Sequence, residues 1–142
     1  MRIREYTDAD KDNVIALISD CLESIFNAPP GNIEDLHDIK KYYGSGAFFV
    51  AEEKGDLIGV CGLDIIDNKA RLRRLYVKGS FRGLGIGKNL AEKAIGICMK
   101  KGIKTINAST YERMESKGFY NRLGFKETHR EGERIFLRKE IR

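Results

Sequence analysis

Long apolar runs are missing from this sequence, as is a signal-like N-terminus, so no membrane span or secretory leader is expected and the chain reads as cytoplasmic. Cysteine is scarce. Cys21, Cys61 and Cys98 lie far apart, each within an apolar stretch, and an odd, unpatterned set without metal-type spacing reads as reduced core thiols. Histidine is scarcer still: His37 and His129 are isolated, with no cysteine neighbour, and neither reads as part of a nucleophilic triad. Blocks of one charge sign are absent as well. The 26 Lys and Arg residues exceed the 21 Asp and Glu residues by a formal net charge of +5, but the two signs are interspersed. That balance suits an anionic ligand, and with no nucleic-acid-binding motif a nucleic acid is not the expected partner. No repeat, linker or composition break divides the 142 residues, which read as one domain, 1–142, with a sizeable core.

What the chain does have is glycine concentrated in one place. Leu75 to Lys88 reads as a strand, a turn carrying Gly83, Gly85 and Gly87, and the start of an amphipathic helix. Such a turn lets the backbone approach a ligand closely, and the helix after it offers N–H groups without intrahelical partners at the positive end of its dipole. The pattern points to a phosphate-bearing cofactor.

The remaining elements follow from periodicity. Arg2 to Tyr6 reads as a strand, and Thr7 with Asp10 as a capped start to a helix whose apolar face is Val14, Leu17, Ile18, Cys21, Leu22 and Ile25. Asn27 to Asn32 breaks that helix, and 33–43 reads as a second, more polar one. Three strands are expected over 47–52, 57–66 and 70–77, with hairpin turns at Glu53–Asp56 and Asp67–Lys69. Leu90, Ala91, Ala94, Ile95 and Cys98 make the stripe of the helix after the glycine turn, which stops at Lys100-Lys101-Gly102. A strand over 103–108, a helix over 112–123 and a strand pair over 125–128 and 134–141 complete the chain. The order β-α-α-β-β-β-α-β-α-β-β is an α+β fold with a mixed, mostly antiparallel sheet flanked by helices.

Spacing narrows the loop. A Walker loop requires Ser or Thr after Gly-Lys, and Asn89 follows Gly87-Lys88 here, so the magnesium-binding hydroxyl is missing. A dinucleotide fingerprint requires Gly-x-Gly-x-x-Gly after a parallel strand, and neither the spacing nor the preceding hairpins match. Arg82-Gly83-Leu84-Gly85-Ile86-Gly87 resembles the Arg/Gln-x-x-Gly-x-Gly/Ala signature of the GNAT superfamily of acyl-CoA-dependent N-acyltransferases. Phe119-Tyr120-Asn121-Arg122-Leu123-Gly124-Phe125 resembles that family's Phe/Leu-Tyr-x-x-x-Gly-Phe block, and the element order agrees along essentially the whole chain.

The resemblance implies acetyl-CoA as co-substrate, held by the backbone of Leu75, Tyr76 and Val77 and by Arg82, Gly83, Leu84, Gly85, Ile86, Gly87 and Lys88, with no metal. Arg82 and Lys88 are otherwise plain solvated cations. Tyr120 corresponds to the tyrosine that protonates the departing thiolate. A phenol of pKa about 10 is a reasonable donor to a thiolate of about 8.5 to 10 when it lies within hydrogen-bond reach. The Val77 N–H would polarise the thioester carbonyl. The general base is not evident. Arg71, Arg73 and Arg74 stand where histone-modifying members carry a glutamate, leaving ordered water or one of Glu52, Glu53 and Asp64. Arg113 stands where many members place an asparagine seven residues before the tyrosine. Thr110 and Met114 resemble a branch with small-molecule acceptors.

In an alternating strand Arg71 and Arg73 share a face and Arg74 joins Leu72 and Tyr76 on the other. Arg73 or Arg74 either pairs with a neighbouring carboxylate or binds one on the acceptor. The expected function is N-acetylation of a small or amino-acid-like amine. The alternatives are a peptide or protein N-acetyltransferase and a non-catalytic coenzyme A-binding module. The state of association is unread, with a homodimer open.

Overall fold

The computed structural model describes residues 1–114 and 116–141. It is an α+β fold built on one sheet. Its strands are β1 (Arg2–Glu5), β2 (Ala47–Glu53), β3 (Asp56–Ile66), β4 (Lys69–Val77), β5 (Thr105–Tyr111), β6 (Lys126–Glu131) and β7 (Arg134–Glu140). The helices are α1 (Lys11–Phe26), α2 (Ile39–Tyr43), α3 (Ile86–Lys100) and α4 (Lys117–Arg122). The strand order is β1-β2-β3-β4-β5-β7-β6, antiparallel throughout except between β4 and β5. Two short turns set the meander. Lys54 and Gly55, then Asp67 and Asn68, all take positive φ, the backbone that two-residue hairpins with matching twist require.

The sheet is buried on both faces over β2, β3 and β4. One apolar cluster joins α3, Tyr120 and Phe125 to one face and runs on to Ile135 and Leu137 of β7. A second packs Val14, Leu17, Ile18 and Cys21 of α1 with Leu36, Ile39 and Tyr43 against the other. The expected Thr7–Asp10 cap forms on a 3-10 turn, Asp8–Asp10, that leads into α1: the Thr7 N–H donates to Asp10 Oδ2 at 2.9 Å, and Arg4 holds the same carboxylate at 2.8 Å.

Two helices are shorter than the apolar pattern predicts. The segment 33–43 is a 3-10 turn at Glu34–His37 followed by the five residues of α2. Asp38, at φ −147°, interrupts the helical backbone and accepts from the Lys41 N–H. The expected helix over 112–123 begins only at Lys117, because the Glu112 N–H donates to the Glu133 carbonyl at 2.9 Å and continues the β5–β7 pairing. Glu115 of that expected helix lies outside the described residues.

Two irregularities in β4 shape the middle of the sheet. The ladder to β5 holds at Ala70–Ile106 and Arg71–Asn107, and from Leu72 and Ala108 onward the strands diverge. Opposite β3, Gly62 pairs with Arg73 and Val60 with Tyr76, so Arg74 and Leu75 together face Cys61 in a bulge with Arg74 at φ +55°. One inserted residue reverses the alternation beyond it. Leu72 and Leu75 therefore both pack on the α3 side, while Arg74 lies with Arg73 and Tyr76 on the α1/α2 side. The strict alternation that placed Arg74 beside Leu72 is corrected by this bulge.

Candidate active site

Where β4 and β5 part, a cavity of about 600 Å³ opens on the α3 side. Its floor is Leu75, Tyr76 and Val77, and one wall is Phe81, Arg82, Gly83, Gly85, Ile86, Gly87 and Lys88. Met114, Ser116, Phe119, Tyr120, Arg122 and Leu123 form the other wall, with Ile25 at the rim. Leu84 is absent from this lining and 68% exposed, so the structure does not bring it together with the rest of the loop.

The loop geometry follows from its glycines. Gly83 and Gly85 take φ of +80° and +82°, which leads the chain into α3 without a side-chain cap. The Asn89 N–H makes the first turn's bond, to the Gly85 carbonyl at 3.0 Å, leaving the N–H groups of Ile86, Gly87 and Lys88 ahead of it. No acidic residue stands in that turn to neutralise the dipole. At Gly87 a methyl group would already touch the Phe119 ring at 3.4 Å, so the bare backbone is what lets that ring close the wall.

Cations supplement the loop unequally. Arg82 bends back, its Nε donating to the Val77 carbonyl at 3.1 Å, whereas Lys88 stays exposed, 3.9 Å from Glu92. The Lys78 N–H donates to Ile58 across the ladder, so by strand alternation the Val77 N–H points to the opposite edge, into the split.

Tyr120 stands on the far wall, held edge-on between Phe119 and Phe125 at centroid distances of 5.2 and 5.5 Å. Its carbonyl accepts from the Phe125 N–H through the Gly124 turn at φ +94°, which explains the glycine-aromatic pair after this tyrosine. The phenol makes no side-chain hydrogen bond among the described residues, yet its oxygen is not sealed off. Burial, with smaller contributions from Cys61 and Tyr76, pushes its pKa above the ordinary phenol value. Burial likewise raises the Cys61 thiol far from its thiolate range.

The expected substrate and base residues lie elsewhere. Thr110 is buried, its hydroxyl 2.7 Å from that of Ser116 and 3.4 Å from the Met114 sulfur, so it braces the wall instead of facing an acceptor. Asp64 is held by Arg71 at 2.8 and 3.1 Å, with Arg73 3.6 Å away. Glu52 pairs with Arg4 at 3.2 Å and Glu53 with the N-terminal amine at 3.2 Å, both at the outer end of β2. None of these three carboxylates lines the cavity. Arg74 donates to Asp35 at 2.7 and 3.1 Å and to the Asn32 carbonyl at 2.8 Å, and the Tyr43 hydroxyl donates to the same carboxylate. Burial works against the Asp35 charge, but the hydrogen bonds from Arg74 and Tyr43 outweigh it and hold the carboxyl below its ordinary pKa. Arg113 forms a bidentate pair with Glu133 at 2.7 Å and lies over the Phe26 ring, which meets Tyr111 edge-on.

Sequence reasoning missed Phe81, Ser116, Phe119, Arg122 and Leu123 as wall residues. Phe119, Arg122 and Leu123 sit inside the tyrosine block and share its short helix, so their signal was present.

The family model described as the acetyltransferase (GNAT) family matches residues 12–125. An uncharacterized N-acetyltransferase from Chlorobaculum tepidum is 38% identical over 85 residues, 59% of this chain and 52% of the relative. The chain thus spans about half the length of that curated relative. Among solved structures, an acetyltransferase of the GNAT family from Staphylococcus aureus aligns over 99% of both chains at TM-score 0.90 and 27% identity. The PaiA N-acetyltransferase from Thermoplasma acidophilum, in complex with coenzyme A, aligns over 98% of both at TM-score 0.81 and 26% identity.

Proposed function

The chain belongs to the GNAT acetyltransferase family, and from that premise we propose that it moves an acetyl group from acetyl-CoA to the primary amine of a small or amino-acid-like acceptor. The observation that carries this reading is a cavity that joins the uncommitted N–H groups of α3 to a protonated phenol across a split in the sheet.

The residues present fit the coenzyme. The N–H groups of Ile86, Gly87 and Lys88 suit a pyrophosphate, and Arg82, Lys88 and Arg122 add charge around them. The free edge of β4 at Leu75 to Val77 offers backbone groups to an amide-bearing arm, as an exposed strand does to a peptide. Acetyl-CoA supplies an acetyl group activated as a thioester. The Val77 N–H, directed into the split, is the donor available to a carbonyl oxygen there. Burial keeps the Tyr120 proton in place throughout the neutral range but also weakens the phenol as an acid, so its role as the acid rests on hydrogen-bond reach to the thiolate and not on a matched pKa. Ordered water is the base this reading assigns to the proton of the incoming amine.

A thiol-release assay with acetyl-CoA against amines, polyamines, amino acids and peptides tests the reading, with calorimetry of coenzyme A binding alongside. Release driven by small amines is the expected result. Release with peptides alone would assign a protein N-acetyltransferase, and binding without release a coenzyme-sensing module.

A further inference from the structure

We propose that the acceptor carries a carboxylate in addition to its amine, and that the Arg73 guanidinium reads it. The inference rests on acetyl transfer as the reaction and assigns the class of acceptor. The cavity opens on the α3 side and reaches through the split to Tyr76 and to Ile25 of α1, so its α1/α2 end is the approach assigned to the acceptor. That side of β4 carries Arg71, Arg73 and Arg74, and the carboxylates paired with them are Asp64 and Asp35.

Charge does not balance there. Arg71 takes Asp64 in a two-pronged contact at 2.8 and 3.1 Å, and Arg74 takes Asp35 the same way at 2.7 and 3.1 Å. Arg73 makes no side-chain hydrogen bond among the described residues. The carboxylate paired with it lies 3.6 Å away and is already held by Arg71. The Arg73 side chain is 34% exposed, against 12% for Arg74, so one guanidinium on the free stretch of β4 keeps donors for an anion from outside. A guanidinium fork matches a carboxylate two-to-two. The same unbalanced charge repels a polycation.

The experiment compares free α-amino acids with their carboxamides, and with spermidine, as acceptors for the wild type, Arg73→Gln and Arg73→Lys. The same probes are scored by the melting temperature of the coenzyme A-saturated protein. A charge-assisted contact predicts kcat/KM roughly 10- to 100-fold higher for acids than for amides. The preference should collapse towards unity in Arg73→Gln and be intermediate in Arg73→Lys. The loss should fall on acceptor KM, with little movement in KM for acetyl-CoA. Amides or spermidine used as well as acids overturn the proposal, as does an Arg73→Gln loss shared equally by acids and amides. If no amine releases thiol while coenzyme A still binds, the transferase reading fails by itself and melting decides the carboxylate site. Acids that raise the melting temperature of the wild type but not of Arg73→Gln support the site, and no such difference overturns it.

Discussion

On the α3 side of the split sheet, positive potential comes from the backbone at Ile86, Gly87 and Lys88 and from cations left exposed. On the α1/α2 side it comes from guanidiniums, two of which are locked to buried carboxylates. The first arrangement needs conformation more than side chains: two glycines at positive φ and a helix that starts on time. The second needs specific partners from distant segments, such as Arg74 of β4 and Asp35 of the turn before α2. A backbone-built site suits a ligand that stays the same, and a side-chain-built site suits one that differs between related proteins.

The side-chain half should break first. Asp35→Ala strands the Arg74 guanidinium in a largely dry site, and removing one partner of a buried pair costs about 3–5 kcal/mol, read from the denaturation midpoint. The pH dependence has a fixed sign. Asp35 binds its proton less readily folded than unfolded, so its contribution is complete above the ordinary aspartate pKa. It is lost as pH falls through the lowered folded value, and the wild type should weaken on acidification more than Asp35→Asn does. Tyr120→Phe ranks next, with kcat falling by about 10²-fold or more, roughly 2.7 kcal/mol, at nearly unchanged acetyl-CoA affinity. Turnover equal to wild type across the pH range would remove this phenol from the chemistry.

The backbone half should be sensitive to conformation and indifferent to side chains. A β-branched residue at φ +82° costs about 1–3 kcal/mol, so Gly85→Val should weaken coenzyme A binding about tenfold by calorimetry. Lys88→Ala, which removes only an exposed charge, should cost about two- to threefold. Equal losses from the two would erase the distinction. The smallest effect belongs to Arg113→Ala, whose pair with Glu133 is exposed, so the melting temperature should barely move.

These differences also explain what could be read from the chain alone. The glycine turn, the Tyr120 block and the two-residue hairpins are contiguous, and each depends on local backbone demands that glycine, asparagine and aspartate betray. The bulge at Arg74 is not local. It exists only in the register between β3 and β4, and so the face on which Arg74 lies could not be deduced from alternation. Asp35 and Arg74 are 39 residues apart, and nothing in either neighbourhood advertises the other. Thr110 read as a substrate contact because Thr110 and Met114 resemble a branch of the family with small-molecule acceptors. Ser116, from the segment leading into α4, turns the Thr110 hydroxyl inward.

The two rungs that join β4 to β5 carry one more consequence. On the α3 side a continuous apolar core runs under the split from Leu72 to Ile135 and Leu137. The opposite side is spanned by the edge contact of Phe26 with Tyr111 and the Arg113 guanidinium above it. A sheet glued along one face and latched along the other bends in one sense. Local opening should widen the acceptor face while the coenzyme face holds, and amide exchange should be fastest at the divergent edges of β4 and β5. A ligand that fills the split then acts as a mechanical strut between two halves of one sheet.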